Sequence, residues 1–110
     1  MDSEKALIVK IAIEGEDIHI GPKEFALNAF GPTRYRIEEE NNGPISEWVL
    51  DAVNDCGKVS LEIRTHDSQG KRAEIIALND LGLGDELCNE VILAKDGKEI
   101  PLKVCIQLKA

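Results

Sequence analysis

Hydrophobic and polar residues alternate in short runs along most of this chain, with the period of two that is typical of β-strands. In the clearest run, 58–65, Val59, Leu61 and Ile63 fall on one face and polar side chains on the other. Further runs predict strands at 6–13, 24–30, 33–39, 71–78, 87–94 and 99–108. Seven or eight short strands separated by turn signals indicate an antiparallel sandwich or barrel.

Glycine-bearing segments predict how these strands connect. The Gly-Pro pair at 21–22 predicts a turn, and the Gly-Pro pair at 31–32 predicts a hairpin between the strands on either side. Residues 79–86 are predicted to be irregular. The Asp-Gly in 95–98 tolerates positive φ and predicts another hairpin.

Residues 45–53 fit two different periods. Trp48 and Ala52, four residues apart, share one helical face, and Pro44 suits the first turn of a helix. Trp48, Leu50 and Ala52 alternate equally well as one face of a strand. The local pattern favours the helix and leaves both alternatives open.

Composition and charge limit the class of protein. The 110 residues predict a single domain spanning 1–110, and only 4% are aromatic, so the core must be mainly aliphatic. A formal net charge of −8 repels nucleic acid and anionic membranes at long range. We therefore expect no nucleic-acid partner, although a local basic patch is compatible with this charge.

The three cysteines, Cys56, Cys88 and Cys105, form neither a disulfide-framework pattern nor a zinc-ligand spacing. We expect reduced thiols, no disulfide-linked partner and a cytoplasmic location. The polar start of the chain, 1–5, does not resemble a signal peptide.

Motifs of catalysis are missing from the sequence. His19 and His66 lie near no cysteine at a metal-ligand spacing, and His19 alternates with apolar neighbours as a strand-surface residue would. Gly82 and Gly84 lack the lysine and hydroxyl residues of a phosphate-binding loop. We expect no enzymatic activity and no cofactor.

One candidate binding patch is basic. Arg34 and Arg36 share one face of a predicted strand, and Arg64 lies on the outer face of another. If these strands are neighbours, the three arginines can contact a phosphate or the carboxylates of a partner. The simpler interpretation is pairing with Glu38 and Glu62 on the protein itself.

Several segments follow one another in the order of a known family of small sandwiches. They are the opening strand with its Glu-Gly at 7–18, the strands at 24–30 and 33–37, the Asn-Gly-Pro stretch that leads to Trp48 at 42–48, the alternating strand at 59–64, and Ala-Glu-Ile-Ile-Ala-Leu-Asn-Asp-Leu at 73–81. In this order the chain resembles a C2 domain over nearly its whole length. The resemblance implies an eight-stranded antiparallel β-sandwich and makes 45–53 a strand. A helix near 45–54 would instead imply an α+β ubiquitin-like roll.

The resemblance also shows which calcium ligands are missing. Calcium-binding C2 domains cluster aspartates in two loops, whereas the first loop here, 16–23, offers Asp17 alone. In the other loop Thr65 takes the place of the first acid and Asp67 matches the second. Calcium takes about six to eight oxygen ligands, so we expect no metal, with Asp17 and Asp67 as weak candidates.

These features together predict a calcium-independent protein-interaction module. The resemblance and the early first strand suggest the amino-terminal domain of a larger scaffold, cytoskeletal or trafficking protein, with a protein partner. A phospholipid-binding module that docks through the basic patch is the alternative.

Overall fold

The computed structural model describes residues 7–16, 18–38, 47–66, 70–95 and 97–110, and these residues form eight β-strands and no helix. The strands are β1 (Ile8–Gly15), β2 (His19–Ala26), β3 (Gly31–Glu38), β4 (Glu47–Asp55), β5 (Lys58–His66), β6 (Arg72–Leu81), β7 (Glu86–Lys95) and β8 (Lys98–Lys109). The prediction of an all-β, eight-stranded antiparallel sandwich is confirmed. Within the described residues, no helix is long and apolar enough to cross a membrane.

The strands form two antiparallel four-stranded sheets that enclose one core. Sheet A has the order β2-β1-β8-β7, and sheet B has the order β3-β4-β5-β6. Sheet B is a meander of consecutive strands. Sheet A instead combines two hairpins, β1–β2 and β7–β8, that are far apart in sequence and meet where β1 pairs with β8.

The core lies between the sheets and is mainly aliphatic, as the composition predicts. Alternate residues of each central strand point inward, so that Val9, Ile11 and Ile13 of β1 have no exposed surface. Trp48 is the largest of the fully buried side chains. Burial of this apolar surface, at about 25 cal/mol per Å², supplies the main stabilising free energy.

The strand that the family resemblance implies near residue 50 is confirmed, and the helix with its ubiquitin-like alternative is wrong. Residues 45–46 lie outside the described part, and β4 begins at Glu47. Trp48, Leu50 and Ala52 are buried on its inner face. β4 pairs with β3 on one side and β5 on the other, and these two ladders outweigh the local helical pattern.

The second strand is displaced from its predicted position. β2 spans His19–Ala26 rather than 24–30, and the Gly-Pro pair at 21–22 lies inside the strand instead of forming a turn. Proline lacks a backbone N–H, and β2 tolerates it because β2 is an edge strand with an irregular register between Ile11 and Ile13 of its neighbour. His19 is exposed at the start of β2, which agrees with its predicted place on a strand surface.

The predicted hairpin at 31–32 is also wrong, because β2 and β3 belong to different sheets. Residues 27–30 cross from one sheet to the other. The backbone N–H of Asn28 donates to Thr33 Oγ1 at 2.9 Å, and Asn54 Nδ2 donates to the carbonyl of Ala29 at 3.0 Å. These bonds replace the strand ladder that a hairpin would have supplied.

The two remaining connections follow the predictions more closely. The irregular segment is shorter than predicted, because β6 continues to Leu81 and only 82–85 separate it from β7. The hairpin at 95–98 is confirmed: β7 and β8 pair directly across it, and Gly97 has a φ of 74°.

The expectation of reduced cysteines is wrong for two of the three. Cys88 and Cys105 lie opposite each other on β7 and β8 and form a disulfide within the chain. Pairing across strands brings together residues that are 17 positions apart, which spacing alone does not reveal. Cys56 is an exposed free thiol. The cytoplasmic location stays a prediction and no longer draws support from the cysteines.

Candidate functional site

The three arginines of the predicted patch lie on the outer face of sheet B, on neighbouring strands. In the strand register Arg34 lies opposite Asp51, while Arg36 and Arg64 lie on either side of Val49. Arg34 Nε donates to Asp51 Oδ1 at 2.6 Å, and Arg64 Nη1 donates to the other oxygen of that carboxylate. Arg34 and Arg64 therefore converge on one acceptor.

Ion pairs continue from this acceptor across the whole sheet. Arg64 also donates to Glu62 at 3.3 Å, and Arg72 on β6 donates to the same Glu62 oxygen. The predicted contact between Arg64 and Glu62 is thus present. The side chain of Glu38 lies outside the described part. Asp51, which the sequence pattern did not single out, is the central acceptor of the network.

The ionisation of the network follows from its geometry. Burial raises the pKa of the Asp51 carboxyl, but hydrogen bonds and positive charge from Arg34 and Arg64 outweigh burial, so this pKa lies below its ordinary value. The hydrogen bond to Asp51 in turn raises the pKa of the Arg64 guanidinium. The Arg64 side chain is only 12% exposed, whereas those of Arg34 and Arg72 are 69% and 57% exposed. The two outer arginines are therefore the ones that solvent or a partner can reach.

A shallow depression of about 340 Å³ lies over the network, and Asp51, Glu62 and Arg72 line it. Val53 is 46% exposed at its margin. The two carboxylates lie among the arginines, so the surface presents both signs of charge. Such a surface suits ion pairs with a protein partner better than it suits a phosphate group.

The two calcium candidates belong to segments that the structure does not describe. Asp17 and Asp67 both lie outside the described residues, so the prediction about them stays a prediction. Thr65 is fully buried on the inner face of β5, where it lies opposite Trp48 of β4. Among the described residues, no group of three His, Cys, Asp or Glu side chains is placed to hold a metal ion.

The four edge strands differ in how well they could accept another strand. At the β2–β3 side of the sandwich, the rings of Phe25 and Tyr35 are 5.0 Å apart, and the Tyr35 hydroxyl donates to the carbonyl of Ala26 at 2.6 Å. Pro22 in β2 and Pro32 in β3 each remove a backbone donor. Both of these edges therefore offer an incomplete hydrogen-bonding ladder.

β6 is an irregular edge. Its register with β5 shifts between Val59 and Leu61 and again between Ile63 and Arg64, and Asp80 has a positive φ of 59°. Bulges of this kind twist an edge and interrupt pairing. A long added strand would not find a continuous ladder here.

β7 is the regular edge of the sandwich. Its ten residues pair with β8 without a register shift and include neither proline nor glycine. The Cα atoms of Cys88 and Cys105 are 4.0 Å apart, the close spacing of a non-hydrogen-bonded pair. The backbone groups of Cys88 and of every second residue from it therefore point away from β8. In the described ranges, no further backbone hydrogen bond closes that side of β7.

The outer face of β7 carries a distinct set of side chains. Ile92 is 66% exposed, and Glu86 and Glu90 are exposed without an ion pair to any described residue. A shallow depression of about 200 Å³ lies beside the disulfide, partly lined by Lys10 and Glu86. The sequence predicts a strand at 87–94, but an edge position depends on the β1–β8 pairing, which no local signal shows.

Comparison with protein-family models, with curated proteins and with solved structures finds no match. The resemblance to C2 domains thus stays a prediction that rests on the order of the segments in this sequence.

Proposed function

We propose that this chain is a non-catalytic, calcium-independent protein-interaction module that binds an extended segment of a partner along β7. The observation that carries this proposal is the regular edge of β7, whose outward backbone groups have no hydrogen-bond partner among the described residues. An added strand would satisfy these groups and obtain its affinity from main-chain hydrogen bonds. The other three edges are interrupted by proline or bulged, so β7 is the best acceptor.

Calcium independence draws its support from the position of Thr65. It occupies the place of an acid in the family that the sequence resembles, and it is buried in the core rather than exposed to an ion. We also propose that the sandwich is C2-like and serves in a cytoplasmic scaffold, cytoskeletal or trafficking protein, on the strength of the sequence resemblance.

Phospholipid docking through Arg34, Arg36 and Arg64 is the second candidate function. Its support is the placement of the three arginines on one face of sheet B. Asp51 accepts hydrogen bonds from two of them, and the net charge of −8 opposes approach to an anionic surface. Protein recruitment by β7 is therefore favoured.

The test combines amide-resonance titrations with capture of partners from cells that express the protein. We expect no amide shifts with micromolar calcium or anionic liposomes, and we expect Ile92→Pro to abolish capture, because proline removes an outward N–H without breaking the β8 ladder. Ile92→Val, which keeps both the outward amide and an apolar side chain, is the matched control and should retain most of the capture. Calcium-dependent shifts, or capture that survives Ile92→Pro, would contradict the proposal.

A further inference from the structure

We infer that the segment accepted by β7 is basic and alternating, with lysine or arginine opposite Glu86 and Glu90 and apolar residues opposite Cys88 and Ile92. This inference rests on the proposed function, since it specifies the chemistry of the partner at the same edge. The juxtaposition that carries it is a regular, open edge with two exposed carboxylates placed four residues apart on one face.

Strand geometry fixes which partner residues face these side chains. Residues directly opposite each other in a sheet point to the same face, with Cβ atoms about 4.5–5.5 Å apart. Glu86, Cys88, Glu90 and Ile92 share the outer face of sheet A, because each lies opposite an outward residue of β8. Every second residue of the partner therefore faces this row, in either chain direction.

The two glutamates favour positively charged residues on the partner strand. In the β7–β8 register Glu86 lies opposite the uncharged Gln107, and Glu90 lies opposite Lys103. Neither carboxylate forms an ion pair with a described residue. A cation on the open side would give Glu86 a basic residue directly opposite it, which Gln107 does not supply, and would place Glu90 between two cations.

The residues that alternate with the glutamates on this face, Cys88 and Ile92, favour apolar contact. Ile92 exposes 66% of its surface, and the disulfide of Cys88 presents its sulfur atoms on the same face. On the other face of β7, Leu87 and Val91 are half-buried and pack against the core. The intervening residues of the partner must therefore be uncharged, which threonine or a small apolar residue satisfies.

A second copy of this chain is the other obvious strand that could pair with β7. Charge favours a basic segment over it. Two copies would each bring a net charge of −8 together, and each would bring its own Glu86 and Glu90 to the shared edge. The same field attracts a basic segment and speeds its encounter with the edge. At β7, pairing with a second copy of this chain is therefore less favourable than pairing with a basic strand.

The test uses a labelled nine-residue peptide with blocked ends, lysine at positions one, five and nine, valine at three and seven, and threonine between. This sequence reads the same in both chain directions. Its lysines can therefore face Glu86 and Glu90, and its valines Cys88 and Ile92, whether it pairs with β7 parallel or antiparallel. A peptide with glutamate in place of lysine is the control. Fluorescence anisotropy measures binding of each peptide to the full chain, and its oligomeric state is measured by light scattering.

We expect the lysine peptide to bind about tenfold more tightly than the glutamate peptide, with an affinity that falls as salt is added. Glu90→Lys should lower the affinity for the lysine peptide about tenfold, because it replaces an attraction between opposite charges by a repulsion between like charges. Glu14→Lys makes the same charge change on the central strand β1, which no added strand can reach, and should change the affinity less than about twofold. Bound peptide should slow amide exchange at Cys88, Glu90 and Ile92.

The contrary outcomes separate this inference from the proposed function. Equal binding of both peptides, abolished by Ile92→Pro, would overturn the basic partner and leave the function of the edge intact. Absence of binding by either peptide would overturn the inference, as would a dimer of this chain that Ile92→Pro dissociates. Partner capture that survives Ile92→Pro would instead overturn the proposed function.

Discussion

Thr65, which precedes the candidate calcium loop in the sequence, is paired with Trp48 in the interior of the sandwich. They lie opposite each other on neighbouring strands of sheet B, and both are fully buried. The Nε1 N–H of Trp48 has no hydrogen-bond partner among the described residues, which costs about 1–3 kcal/mol. This part of the core thus already holds one polar group without a partner, and burial of a charge would cost far more.

Replacing Thr65 by aspartate, the residue expected here if the proposed resemblance to calcium-binding C2 domains holds, should therefore destabilise the protein rather than create a calcium site. We expect Thr65→Asp to lower the free energy of unfolding by about 3 kcal/mol or more at pH 7, because it places a charged carboxylate at a fully buried position. Urea unfolding with and without millimolar calcium measures both effects. Thr65→Asn, similar in size and uncharged, is the control and should cost less. A calcium-dependent rise in the stability of Thr65→Asp would contradict this prediction.

Strands β7 and β8 are connected twice, by their hairpin turn and by the disulfide between Cys88 and Cys105. A cross-link over a loop of this size stabilises a protein by about 3 kcal/mol in the chain-entropy model, through its effect on the unfolded state. We expect somewhat less here, because the short hairpin already restricts the same segment.

Replacing both paired cysteines by alanine should accordingly lower the free energy of unfolding by about 2 kcal/mol. A reducing agent should destabilise the unmodified protein by a similar amount and leave the double variant unchanged. Cys56→Ser, at the exposed free thiol, is the control and should have no measurable effect. Urea unfolding in the presence and absence of reductant checks all three. Equal stability of the double variant and the unmodified protein would contradict the prediction.

How well the sequence predicts a strand depends on where that strand lies in the fold. Central strands with strict alternation, such as β5, were predictable because one face is buried and the other is not. β4 required the family resemblance, since its local pattern also suits a helix. β2 was misplaced because a Gly-Pro pair reads as a turn, whereas an edge strand tolerates proline. The arginine patch was predictable from alternation. The β7 edge was not, because it depends on which distant strands pair.

The ion-pair network crosses all four strands of sheet B and centres on Asp51. The pKa of this carboxyl is lower in the folded protein than its ordinary value. Its contribution to stability is therefore fully present above the unfolded pKa of about 3.9, and it is lost as the pH falls through the folded pKa.

Asp51→Asn should thus lower the free energy of unfolding by about 1 kcal/mol at pH 7, with the difference from the unmodified protein disappearing in the acid range. Urea unfolding between pH 7 and about pH 2.5 measures the pH dependence. Asp55→Asn, at an exposed carboxylate outside the network, is the matched control and should show a smaller difference. A difference that stays constant down to pH 2.5 would contradict the role assigned to Asp51.

The pairing of β1 with β8 determines when each sheet can form during synthesis. Sheet B can form from neighbouring segments, but sheet A requires Ile8 to meet Lys109 and Gly15 to meet Leu102. Contacts between residues so distant in sequence form slowly, on the order of milliseconds to seconds in β-sandwiches. On the ribosome, β1 must therefore wait for its partner until β8 has been translated. For that time Val9, Ile11 and Ile13 need protection by a chaperone or by transient contact with sheet B.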